Sequence, residues 1–280
     1  MARWATILLT AADLGAVALW TMRRRQQRQS ASLVAELRQS AAIAAIDPGA
    51  GQADLPAPVA RYLAHVLPAD RRPIKTAAYR QVGRLRSDPR SQRWLAFTAC
   101  QLIAPAAVGF VWEAAVSLLP FVRLQVRDSL HCGRGAGAVR LWSAVPVGSA
   151  GGNPEMNSGA LHRFLAEAVW FPTALLPSRF LRWEPIDDLR AMATLEQGDV
   201  CVSLEFRFDH HNEVVGIFTP GRWGSFDGGY RKLAWEGRFS DYRRRGGMLV
   251  PDRGEVGWYI DGRWEKVWQG RVVDAEFEFA

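Results

Sequence analysis

Val200, Val202, Leu204, Phe206 and Phe208 alternate with Cys201, Ser203, Glu205 and Arg207, apolar on one side and polar on the other. A period of two marks a half-buried antiparallel strand. Less regular versions of the pattern predict strands at Ile74–Arg86, Trp94–Leu102, Phe110–Leu118, Val122–Leu130 and Ala138–Val147. More follow at Leu181–Ile186, Arg190–Glu196, Val214–Thr219, Leu233–Phe239, Glu255–Ile260, Trp264–Gln269 and Arg271–Phe279. Strands do not alternate with helices, which argues against a doubly wound parallel sheet.

Helical spacing interrupts this run in two places. Leu161, Phe164, Leu165 and Val169 form one apolar face between Ser158, a good N-cap, and Pro172 and Pro177, which stop the helix. Val59, Tyr62, Leu63 and Val66 form another, with Pro58 in the first turn. Mainly β with α+β character is the predicted fold class: one curved antiparallel sheet of roughly ten or more strands, half-barrel-like, since a sheet this long curls. The 158–176 helix packs in its concave side. The predicted division is 1–25, an apolar helix with a basic flank; 26–54, a short helix around Ala31–Ile46 and the Asp47–Gln52 linker; and 55–280, the β domain.

Trp4 to Met22 is apolar over about the length that crosses a bilayer. Asp13 interrupts it, and an acid at the helix centre costs about 2.5–3.5 kcal/mol on insertion scales. Arg23-Arg24-Arg25 follows the run, so the positive-inside rule predicts a single-pass anchor with the globular part in the cytoplasm. The competing readings are a signal peptide cleaved near Ala16-Val17-Ala18, which gives an exported form, and a soluble amphipathic helix.

Composition narrows the function classes. With 49% hydrophobic residues and 12 Trp in 280, the chain builds a large core and is not disordered. The net charge of +7 comes from two Arg-rich blocks, 1–30 and 71–93, which leaves the rest slightly acidic and argues against nucleic acid as partner. On the second block, Arg80, Arg84 and Arg86 share one outward strand face. Cys100, Cys132 and Cys201 form no CxxC pair; Cys100 and Cys201 read as small buried hydrophobes.

Candidate chemistry is sparse. Asp209-His210-His211 lies at a hairpin tip and reads as a solvated turn, and Glu184, Asp187 and Asp188 as an acidic turn, so no metal site is assigned. No nucleotide, phosphate-loop or nucleophile-elbow motif occurs, so no cofactor and no catalytic residue are assigned. Arg163 and Glu167 are i,i+4 neighbours; enclosed, they would orient a ligand in an apolar site. The predicted ligand-binding set is Arg163, Phe164, Glu167, Trp170, Phe171 and Trp183, with Arg163 on a headgroup. The leading function is a membrane-anchored module for a hydrophobic ligand such as a lipid. A structural protein with a filled core and a hydrolase using Glu167, Asp128 or Asp187 are the alternatives.

Two stretches carry family resemblances. Leu161–Pro177 with Arg182-Trp-Glu-Pro-Ile-Asp187 resembles a bacterial family of uncharacterised function, the DUF6544-type proteins, from about Leu55 to the C-terminus. Asp241–Pro251, with Gly262 and Arg271–Asp274, is similar to the closing strands of LolA-like half-barrels, which carry lipids or lipoproteins. The chain departs from those carriers in its Arg-rich flank and in having no lipobox cysteine.

Overall fold

The computed structural model describes residues 2–44 and 55–280, with side chains from residue 17 onward. Thirteen strands form one sheet in which every neighbouring pair is antiparallel. The first six are β1 Ile74–Leu85, β2 Leu95–Ala104, β3 Gly109–Leu119, β4 Val122–His131, β5 Arg134–Leu141 and β6 Val145–Gly151. The other seven are β7 Leu181–Asp187, β8 Arg190–Gln197, β9 Val200–Phe208, β10 Val214–Phe226, β11 Gly229–Arg245, β12 Met248–Ile260 and β13 Arg263–Phe279. The chain starts mid-sheet at β1, meanders out to the β6 edge, crosses over, and meanders back from the β7 edge until β13 pairs with β1.

The crossover is α3, Pro154–Glu167, continued by 3-10 turns at Ala168–Trp170 and Pro172–Leu175. It packs against both β5 and β9. In a flat sheet those two strands would lie about 43 Å apart, far more than the 10–12 Å diameter of a helix. The sheet therefore curls around α3, and most of the apolar core fills the concave side between them. Gly135 on β5 permits the contact: a Cβ there would meet the Met156 carbonyl oxygen at 2.4 Å and the Ala160 Cβ at 2.8 Å.

Two other helices complete the domain. α2, Ala57–Val66, turns Tyr62, Leu63 and Val66 into the core at one end of the half-barrel, where Tyr62 packs on Phe208. α1, Ala2–Ile43, runs along the convex face. There Leu33, Val34, Leu37 and Ala41 pack on Ala78, Leu102, Ala104 and Val111.

Several boundaries differ from expectation, each for a local reason. Asn153, not Ser158, caps α3: its side chain accepts from the Met156 amide, so Ser158 lies inside the helix. The predicted Ala138–Val147 strand is two strands, because Trp142 and Ser143 take left-handed φ values of 51° and 59° and turn the chain. Trp264–Gln269 and Arg271–Phe279 are one strand, β13. The anchor segment and the Ala31–Ile46 helix are one helix, α1. The Asp47–Gln52 linker lies outside the described residues, as do the side chains of most of Trp4–Met22. Among the residues with described side chains, from Val17 onward, no helix is long and apolar enough to cross a membrane. All three cysteines are exposed, Cys100 and Cys201 on polar strand faces. Arg80 and Arg84 point outward, but Arg86 folds back and donates to the Lys266 and Ser91 carbonyls.

Gly135→Ala forces the α3 backbone off β5 and lowers stability by about 1–3 kcal/mol, the usual range for overpacking. Denaturant titration reads this as a lower midpoint at constant slope; an unchanged midpoint contradicts the close-contact role.

Candidate functional site

The core is not completely filled. A cavity of about 250 Å³ lies on the concave side, walled by Trp112, Trp170, Trp235, Trp258 and Trp268 with Val126, Phe239 and Val267. Three arginines, Arg86, Arg163 and Arg222, and three acids, Asp128, Glu167 and Glu255, line it; Arg86 is bonded to the Lys266 and Ser91 carbonyls and Glu255 is paired with Lys266.

Arg163 is tied to two acids. Its Nε donates to Glu167 at 2.7 Å and its Nη1 to Asp128 at 2.9 Å. The guanidinium also lies 4.9 Å from the centroids of Phe110 and Trp112. Burial opposes its charge, but Glu167 and Asp128 outweigh burial and raise its pKa. The chain of hydrogen bonds continues. Gln101 donates to Glu167 at 2.6 Å, Gln81 to Gln101 at 3.0 Å and Trp112 to Gln81 at 2.8 Å. Each member orients the next, so one side of the cavity is a rigid polar relay set in aromatic walls.

Arg222 is different. It stacks between Trp235 and Trp258, 4.7 and 5.1 Å from their centroids, and donates through Nε and Nη2 to the Gly159 carbonyl. Among the described residues it has no carboxylate partner. Burial, with repulsion from Arg163 next, pushes its pKa down to about 10. It remains a cation at neutral pH, half-buried in the cavity wall.

The six predicted ligand-binding residues divide. Arg163, Glu167 and Trp170 line the cavity. The Trp170 indole stands over Gly254 and donates to the Pro251 carbonyl at 2.9 Å. Phe164 and Phe171 pack on each other in the core, 5.4 Å between centroids. Trp183 packs on Phe206 and donates to the Leu175 carbonyl, away from the cavity. Of the acids named for a hydrolase, Asp128 and Glu167 meet on Arg163, whereas Asp187 sits in an exposed turn paired with Arg190. Asp209 caps its own turn beside His210 and His211 by accepting from the His211 and Glu213 amides.

Sequence reasoning missed Arg222 because β10 is longer than predicted and carries a bulge. Between Thr219 and Arg222 the strand spends one residue more than β11 does, which re-aims Arg222 to the concave side. Pro220-Gly221 was the available signal.

The model of a "Family of unknown function (DUF6920)" matches residues 53–277. The chain belongs to that family. DUF6544-type membership, expected from residues 161–187, is not shown. No curated protein matches the chain. Among solved structures, a LolA superfamily protein from Nitrosomonas europaea is 10% identical, with a TM-score of 0.40, over 79% of this chain and 93% of its own. A beta-barrel-like protein of the DUF1849 domain from Brucella abortus is 10% identical, with a TM-score of 0.24, over 74% of this chain and 99% of its own.

Outside the cavity lining, on α3, His162 is buried and donates through Nδ1 to the Ser158 carbonyl at 2.9 Å. Burial, reinforced by Arg222 and Lys232 against that hydrogen bond, lowers its pKa from 6.5 to about 4. Between those values the unfolded chain binds the proton and the folded one does not, so stability falls as pH drops from 6.5 towards 4. The loss is up to about 3 kcal/mol. Midpoints at pH 7 and 4.5 test this: His162→Gln should lose less stability than the parent, and equal losses would remove His162 as the cause.

Proposed function

We propose that the cavity binds a single-chain amphiphile with an anionic head, such as a fatty acid. The carrying observation is Arg222, a half-buried guanidinium held between two tryptophans with no carboxylate in direct contact among the described residues. A scaffold residue in that position would be paired or apolar; a receptor for a carboxylate or phosphate would not. The aromatic walls take the chain. At about 250 Å³ the space is below the ~300–1,000 Å³ usual for drug-sized ligands, which suits one acyl chain better than a two-chained lipid. The headgroup role expected of Arg163 passes to Arg222, because Asp128 and Glu167 already occupy Arg163. The same cavity favours binding over a purely structural protein with a filled core.

Native mass spectrometry with oleate and its uncharged methyl ester tests this reading. Oleate should bind one to one and the ester much more weakly. Arg222→Met should weaken oleate roughly 10- to 100-fold, as expected for loss of a charge-assisted hydrogen bond. Its thermal midpoint should stay level or rise, because an unpaired buried cation has been removed. Equal binding of ester and acid, or no adduct at all, overturns the proposal.

We propose also that the apolar half of α1 tethers the module to a membrane, with the β domain in the cytoplasm. The supports are the Trp4–Met22 run, Arg23–Arg25 behind it, and the exposure of Val17, Leu19, Trp20 and Met22 where α1 has left the sheet. Alkaline phosphatase fused after Ala280 should be inactive in cells, and the fusion should sediment with membranes. An active fusion reverses the topology; a soluble one removes the tether.

A further inference from the structure

Polar contacts along α1 fix its direction on the convex face. Ser40 bonds His131 near the end of β4, Ser30 bonds Glu113 and Arg127 in mid-sheet, and Gln26 bonds Arg140 near the end of β5. Towards its N-terminus the helix thus advances along β3–β5 in the direction of the β3–β4 and β5–β6 turns. From Gln26 to Val17 it rises about 14 Å. From Gln125, the β4 partner of Arg140, to Phe121 at the β3–β4 turn is about 13 Å along the strand. Val17–Trp20 and the two hairpin tips therefore stand at about the same level.

Those tips are built against the rules for a solvent-facing turn. Phe121 is 99% exposed, and Leu119, Trp142, Val145 and Val147 beside it are also exposed. Phe121 and Trp142 hold left-handed φ values of 66° and 51°. Turns at such angles take Gly, Asn or Asp, and bulky side chains there are strained. Both aromatics incur backbone strain, Phe121 with its ring wholly in solvent and Trp142 with its ring half exposed, a combination that marks a surface used elsewhere. Arg93 and Arg123 are exposed at the same end, and Arg24 stacks on Trp20 at 5.1 Å. Aromatic tips among guanidiniums match the headgroup zone of an anionic bilayer.

We propose that the β3–β4 and β5–β6 tips dock into the surface of the bilayer in which α1 is anchored, with Phe121 and Trp142 as the inserted side chains. This rests on the tether proposed above. It orients the module: the cavity, bordered by Leu85 and Arg86 at the end of β1, opens at the same end as the tips and faces the lipid. The α2 end points away.

The full chain, with its three cysteines replaced by Ser, is reconstituted in vesicles of phosphatidylcholine and phosphatidylglycerol. An environment-sensitive fluorophore is placed at Phe121→Cys or, at the α2 end, at Asn212→Cys. Quenching by headgroup spin-labelled lipid at position 121 but not at 212 is the expected result. A vesicle-bound chain whose two labels both stay aqueous overturns the docking and leaves the tether standing. A chain that does not float with the vesicles overturns both. Quenching at 212 alone reverses the orientation and also overturns the proposal.

Discussion

The fold depends on one packing requirement. The apolar surface of α3 must be covered, and the sheet can cover it only by touching it from both wings. Because α3 is also the crossover between the two edges, the same contact that buries its side chains sets the curl of the sheet. The cost is local: β5 gives up a side chain at Gly135 so that backbone meets backbone. The rest is a consequence, since a sheet bent around a helix of only fourteen residues has more concave surface than the helix can fill. α2 and the 3-10 turns close one end, and the tryptophans leave a cavity towards the other.

Within that cavity two arginines of the same chemistry are held in opposite electrostatic states. Arg163 has two carboxylates, and its raised pKa reports a charge the protein has neutralised. Arg222 has two indole faces and a carbonyl, and burial with repulsion from Arg163 lowers its pKa against the weaker pull of Asp128 and Glu167. Cation–π contacts soften desolvation without cancelling the charge. The distinction lies in the partners and not in residue type or exposure, which is why a buried arginine by itself says little about binding.

The strands were legible where alternation was unbroken. Val200–Phe208 has the predicted bounds, because one face is core and the other solvent along its whole length. Legibility failed where the period changed hands. The Trp142–Ser143 turn carries no glycine or proline, so β5 and β6 read as one strand. The Pro220–Gly221 bulge inverted the parity of β10 and hid Arg222. Three of the six candidates line the cavity, Arg163, Glu167 and Trp170, because they are local to one helix and the turn after it. The other cavity walls come from strands far apart in sequence, joined only by register: Trp235 opposite Trp258, and Val256 opposite Trp268. Helical spacing made Phe164 look equivalent to Arg163, but adjacent helical residues point about 100° apart, and Phe164 turns into the core.

The two ends of the half-barrel differ in a way that packing alone does not require. At the α2 end, aromatic groups are used internally: Tyr62 on Phe208, and the Tyr242 hydroxyl bonded to the Val214 backbone. At the other end, Phe121 is wholly and Trp142 half exposed, both at strained backbone positions. A sheet stabilised only for itself would put the aromatics at both ends to the first use, since an exposed ring contributes nothing to burial and a left-handed φ penalises it further. The asymmetry follows the direction in which α1 leaves the sheet: the exposed rings stand at the end where the helix continues past the hairpins, and Val17, Leu19, Trp20 and Met22 are exposed there as well.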